Sequence, residues 1–221
     1  MAITARPGFL TAASRAGIVA HVLALTAAIL VLVWVLHFGG GARLHSENKE
    51  LIFNVHPLVM TLGFILVIGE GIMAYKTVPA LKKVQKCVHM SLHLVALTLG
   101  IFGVYVAFKY HRESLIPDMY SLHSWLGMCT ICLFGLQWLF GFFCFWYPKA
   151  SLPTRARAVP VHASAGLTIF FMTICTAETG FVEKGAEPGP ETRLINFTGL
   201  ILFLFGLSVS ISVVLPKVIS L

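Results

Sequence analysis

The chain has 221 residues, of which 57% are hydrophobic and only 11% charged, against about 25% charged in an average soluble domain. A water-soluble fold cannot hide that much apolar side chain, so lipid is the solvent. The formal net charge of +7 is then read as membrane topology rather than as affinity for nucleic acid.

The charges are spaced so as to leave six stretches free of Asp, Glu, Lys and Arg: Ala16–Ala42, Leu51–Gly69, Cys87–Phe108, Met119–Pro148, Ala158–Ala177 and Leu194–Pro216. Each is near or above the roughly 20 residues that a helix needs to cross about 30 Å of hydrocarbon. None alternates like a barrel strand, and backbone in lipid must bond within its own segment. The expectation is an all-α integral membrane protein, one domain over residues 1–221, with spans at about 16–38, 51–75, 86–109, 119–147, 158–178 and 194–216. The first stretch is longer than a secretory signal core and five more follow it, so it is read as a retained helix. Five cysteines fall inside apolar stretches, where a thiol acts as a small hydrophobe. The CxxC of Cys129 and Cys132 has no second pair and is weak ground for zinc or redox chemistry.

Six spans put both termini on one side, with the second and fourth loops. That side carries Arg6, Arg15, Lys76, Lys82, Lys83, Lys86, Lys149, Arg155, Arg157 and Lys217. The other carries Arg43, Lys49, Lys109, Arg112, Lys184 and Arg193. The excess favours cytosolic termini.

Four of the nine histidines sit near the start of four consecutive spans: His56, His89, His123 and His162. Because neighbouring spans run in opposite directions, His56 and His123 lie towards one face and His89 and His162 towards the other. An imidazole in lipid is costly without a partner and is functional by default. Two histidines from facing helices can fill both axial positions of one haem iron, which leaves no position for oxygen and suits electron transfer. Zinc wants three or four protein ligands, and no HExxH or intramembrane carboxylate supplies them. No CxxCH is present for covalent haem attachment. Gly127 and Gly166, each one turn after a histidine, clear the helix face for a flat ring. With each ligand about three residues inside its span, the two levels lie roughly 24 Å apart. The same histidines could instead form a proton relay or structural polar contacts, as in a haem-free solute transporter. Such a transporter would need acid–histidine chains near mid-membrane, where Gln137 is the obvious polar group. His21, His37 and His45 have no partner in the haem scheme. His93, one turn deeper than His89, reaches a propionate or a neighbouring polar group, or ligates in place of His89. Phe64, Phe134 and Trp138 are read as packing.

The segments FNVHPLVM (Phe53–Met60), KCVHMSLH (Lys86–His93), MYSLHSWLG (Met119–Gly127) and LQWLFG (Leu136–Gly141), with the stretch around His162, closely resemble the cytochrome b561 family of ascorbate-dependent transmembrane oxidoreductases. The resemblance runs from about residue 51 to 178, over the four central spans. It implies a four-helix core of helices two to five with two haem b per chain, on His56/His123 and His89/His162. It implies that ascorbate binds on the cytosolic side at Lys82, Lys86 and Arg155. On the opposite side it implies a site with His111 and Tyr120, where monodehydroascorbate or a ferric chelate accepts the electron. Lys76 follows Tyr75 where animal members often have arginine; charge is kept but the bidentate fork is lost. A homodimer, with the first and sixth helices as contact candidates, and an endomembrane location, vacuolar or vesicular, are also expected from the resemblance.

Overall fold

The computed structural model describes residues 7–185 and 187–218, with side chains over 15–185 and 187–215. Arg6 and the side chain of Lys217, counted in the charge asymmetry, lie outside the described residues. Six long helices follow one another: α1 (Pro7–Val33, continued by a π-helical turn Trp34–Phe38), α2 (Lys49–Thr77), α3 (Lys82–Ser114), α4 (Leu122–Phe145), α5 (Leu152–Lys184) and α6 (Pro190–Val218). All six are long and apolar enough to cross a membrane, and no strand occurs among the described residues. The fold is an all-α six-helix bundle. Leu25, Leu136 and Phe143 are more than half exposed on its outside; such a surface is stable only against lipid.

The helices begin and end for local reasons. Ser121 caps α4 by accepting from the Ser124 N–H, and Ser124 returns the bond as a capping box. This fixes the start of α4 at Leu122, one residue before His123. Ser151 accepts from the Thr154 N–H at the start of α5, where Pro153 is tolerated because first-turn N–H groups have no helical partner. α3 ends at Leu115, which adopts φ 57° and donates its N–H to the His111 carbonyl. The chain then folds back, so that Asp118 and Tyr120 return to His111. α2 is not a regular helix. Pro57 removes one backbone donor, and the next turns, Met60–Ile65, are π-helical. Hydropathy alone predicts a plain span there.

α2–α5 pack as a four-helix core, while α1 and α6 pair extensively with each other beside it. The reason is a stripe of small residues: Ala20, Ala24 and Ala27 are buried at helical spacing and let α1 approach Leu202, Phe205 and Val209 of α6 closely. Phe205 in turn rests on Gly69 of α2, which joins the pair to the core. Each of the first and sixth helices thus spends one face on the other, within the same chain.

Candidate functional site

The four span-start histidines meet in two pairs. His56 and His123 have ring centroids 6.0 Å apart, and His89 and His162 6.2 Å apart. Two nitrogens about 2 Å from one metal, each about 1 Å in front of its ring centre, would set the centres about 6 Å apart. Both pairs have that spacing. Each lines its own cavity, of about 330 Å³ for His56/His123 and about 690 Å³ for His89/His162. Both sizes fall in the range of roughly 300–1,000 Å³ usual for cofactor sites.

The rings are fixed from behind. Nδ1 of His56 bonds the Gly103 carbonyl at 2.9 Å, Nδ1 of His89 the Gly71 carbonyl at 2.8 Å, and Nδ1 of His123 the Thr176 carbonyl at 2.8 Å. A carbonyl can only accept, so each Nδ1 carries the proton and Nε2 keeps its lone pair for a metal. His162 differs: its Nδ1 is buried with no partner among the described residues. Its helix position is held instead by Gln137, whose Nε2 donates to the His162 carbonyl at 2.6 Å. Two glycines on neighbouring helices make room for the rings. A Cβ at Gly180 would lie 2.8 Å from Cε1 of His123, and one at Gly141 would lie 3.0 Å from Cε1 of His162. The facing imidazole pair in each cavity fits an iron porphyrin, and no group of three or more His, Cys, Asp or Glu among the described residues is placed to hold a zinc ion.

A pair of buried rings separates the cavities. Phe64 lines the first and Phe134 the second, with centroids 5.2 Å apart. Gly100 permits this, since a Cβ there would press on Phe64 and Ile131. His93 also lies in the larger cavity, its ring 4.4 Å from that of His89 and its Nδ1 buried without a partner among the described residues.

The mouths of the cavities differ in charge. The larger is lined by Lys76, Lys82, Lys86 and Tyr75, with no Asp or Glu among its lining residues. Lys86 also donates to the Phe145 carbonyl at the end of α4, a favourable place for a cation. Arg155, grouped with these lysines by sequence, is on the first turns of α5 but does not line the cavity. The smaller cavity is lined by His111, Tyr110, Tyr120, Glu183 and Lys184. His111 bonds Asp118 at 3.2 Å, and its ring lies 6.2 Å from that of Tyr120. Lys184 pairs with Glu50 at 2.9 Å, so this mouth carries both signs of charge.

Several positioning residues have no counterpart in the sequence reading. Asn54 is 2% exposed and its amide donates to the carbonyls of Gly39 and Gly41 at 2.9 and 2.8 Å. It pins the α1–α2 loop, where Gly40 and Gly41 take φ values of 70° and 109° that suit glycine, beside His56. The indole of Trp34 donates to Glu191 at 2.8 Å and closes the smaller cavity towards α1 and α6. His21, without a partner in the haem scheme, bonds Glu70 at 2.8 Å on a partly exposed face.

Known proteins resemble the chain along most of its length. The profile of the family described as eukaryotic cytochrome b561 matches residues 55–187, a stretch that contains all four paired histidines. A rice protein (Oryza sativa subsp. japonica), the "probable ascorbate-specific transmembrane electron transporter 1", is 48% identical over 207 residues, covering 90% of this chain and 88% of its own. The "transmembrane ascorbate ferrireductase 1" of Arabidopsis thaliana is 46% identical, covering 85% and 82%. A "plasma membrane ascorbate-dependent reductase" of Xenopus laevis is 38% identical, covering 80% of this chain and 66% of its own. With its two paired-imidazole cavities, and a family profile spanning the helices that form them, the chain belongs to the eukaryotic cytochrome b561 family, whose members carry haem b.

Proposed function

We propose that the chain is an ascorbate-dependent transmembrane oxidoreductase with two haem b, one on His56/His123 and one on His89/His162. The observation that carries this reading is the presence of two histidine pairs, each spaced for one metal and each in its own cavity. The names of the relatives, an ascorbate-specific transmembrane electron transporter and a transmembrane ascorbate ferrireductase, support ascorbate as the class of donor and transfer across a membrane.

A haem held by His56 and His123, or by His89 and His162, would supply reversible one-electron chemistry. The remaining work belongs to the chain. Lys82 and Lys86, with Arg155 nearby, attract the ascorbate anion to the mouth of the His89/His162 cavity, and Lys76 adds to the same field. The backbone carbonyls of Gly71, Gly103 and Thr176 hold three ligand rings in the metal-binding tautomer. The Phe64–Phe134 wall keeps the space between the sites apolar. At the other mouth His111 and Tyr120 receive the acceptor, monodehydroascorbate or a ferric chelate.

The basic face is cytosolic in this proposal, following the excess of Lys and Arg there, so both termini are cytosolic. An endomembrane, vacuolar or vesicular, and a homodimer follow from the resemblance to the family.

The test is haem stoichiometry. Purified protein should show ascorbate-reducible b-type absorption at two haems per chain. His56→Ala or His123→Ala should remove one haem, and His89→Ala or His162→Ala the other. A colourless protein, or one whose haem survives all four substitutions, would refute the assignment.

A further inference from the structure

The cavity of His56 and His123 is lined by one lysine, Lys184, and no arginine, and the charge of that lysine is already committed. Its Nζ lies 2.9 Å from Oε2 of Glu50 and 5.0 Å from the centre of the Phe53 ring. The other carboxylate oxygen of Glu50 accepts from the Tyr110 hydroxyl at 3.2 Å. Phe53 and Tyr110 rest against each other, with centroids 5.2 Å apart. Glu50 does not itself line the cavity. It ties two residues that do, Tyr110 of α3 and Lys184 of α5, to the first turn of α2.

The other charges at this end lean the same way. Glu183 lines the cavity and makes no ion pair among the described residues. Asp118 bonds His111 at 3.2 Å. Lys49 and Lys109 both pair with Glu113 and lie outside the lining, as do Arg43, Arg112 and Arg193. With Lys184 offset by Glu50, an approaching anion meets one bare carboxylate and no uncompensated ammonium. The opposite cavity is lined by three lysines and no carboxylate. Fields of opposite sign at the two mouths favour ions of opposite sign.

We propose that Glu50 sets the charge selectivity of this mouth: by offsetting Lys184 it turns anions away and leaves the site to electron acceptors of neutral or positive charge. The inference rests on the reading proposed above, in which an acceptor takes its electron here. Of the two acceptor classes, a ferric complex without net negative charge suits the mouth better than the monodehydroascorbate anion. The acceptor gains one electron, ferric iron becoming ferrous, while ascorbate at the basic mouth loses one electron and one proton. The same field keeps ascorbate, itself an anion, from entering at the acceptor's end. Donor and acceptor are thereby sorted by sign. Glu50 acts through Lys184 and is a specificity residue, not a catalytic one.

The experiment isolates this mouth in His89→Ala, which should retain only the haem of His56 and His123. Haem is counted first; any value other than one per chain refutes the two-haem reading and this inference with it. The purified protein is reduced with dithionite, freed of excess reductant and mixed with ferricyanide, a trianion, or hexaammineruthenium(III), a trication. Reoxidation is followed by absorbance. Glu50→Gln keeps an oxygen for Tyr110 and Lys184 and removes only the charge, and an exposed pair contributes little to stability. In this background it should speed reoxidation by ferricyanide about five- to tenfold at low ionic strength, as expected for a unit charge about 10 Å from a trivalent ion in water. It should slow reoxidation by hexaammineruthenium(III), and high salt should shrink both changes. Lys184→Gln should shift each rate the opposite way, and where one variant loses its haem the other decides alone. Loosened packing would move the two rates together. With one haem retained, rates that stay unchanged or move in the same direction overturn the role of Glu50 and leave the two-haem reading standing.

Discussion

Gly180 offers the sharpest test of how the His56/His123 site is built. A Cβ there would sit 2.8 Å from Cε1 and 2.9 Å from Nδ1 of His123, closer than real contacts allow. The ring cannot retreat freely, because its Nδ1 is bonded to the Thr176 carbonyl at 2.8 Å. Gly180→Ala therefore overpacks the site, at about 1–3 kcal/mol, and strains a hydrogen bond that contributes about 0.5–1.5 kcal/mol. Replacing a mid-helix glycine by alanine returns up to about 1 kcal/mol of helix propensity. The balance is a net cost of about 1–3 kcal/mol, concentrated on one ligand. That amounts to about 10–100-fold in haem affinity, the size usual when a group supporting a metal ligand is disturbed. Gly135→Ala is the control on the neighbouring helix, since Gly135 lines neither cavity and its Cβ would meet only Leu97 Cδ1 at 3.8 Å, an ordinary contact. The assay is haem per chain after purification, with rebinding of haem to the depleted protein. Gly180→Ala should lose the haem of this site and keep the other, while Gly135→Ala keeps both. Two haems bound with unchanged affinity in Gly180→Ala would refute the packing argument.

Other substitutions probe separate links of the same chain. Asn54→Ala removes both amide bonds to the Gly39 and Gly41 carbonyls from a buried position. It should lower stability by about 2–4 kcal/mol, read as a fall in Tm of the detergent-solubilised protein; an unchanged Tm would show that the loop is held otherwise. Gln137→Leu removes the 2.6 Å bond to the His162 carbonyl. It should shift the band of the basic-face haem alone, at a stability cost of about 1 kcal/mol, and a change in both haems would contradict its local role. Lys82→Gln should raise KM for ascorbate without loss of haem, measured as the rate of haem reduction against ascorbate concentration. His21→Ala breaks a half-exposed pair with Glu70 and should cost no more than about 1 kcal/mol, with haem content intact.

The pairing of histidines was legible because it needs only two facts, a charge-free stretch per span and the alternation of direction between spans. Residues far apart in sequence then fall at one depth, as His56 and His123 do. What the same reading could not reach is whatever depends on which helix faces are opposed. Gly127 and Gly166 were visible as glycines one turn from a ligand, yet the rings of His123 and His162 rest on Gly180 and Gly141, each on a neighbouring helix with no local mark. Gln137 stood out as a polar residue in mid-span, but only the α4–α5 packing reveals that it satisfies the carbonyl of a ligand. The π-helical turn at Met60–Ile65 adds no apolar residue that hydropathy could count. The resemblance groups Arg155 with Lys82 and Lys86; of the three, the two lysines line the larger cavity, together with Lys76. Phe64 and Phe134 were assigned to packing, and they are packed; their place as the partition between two cavities is a fact of tertiary structure.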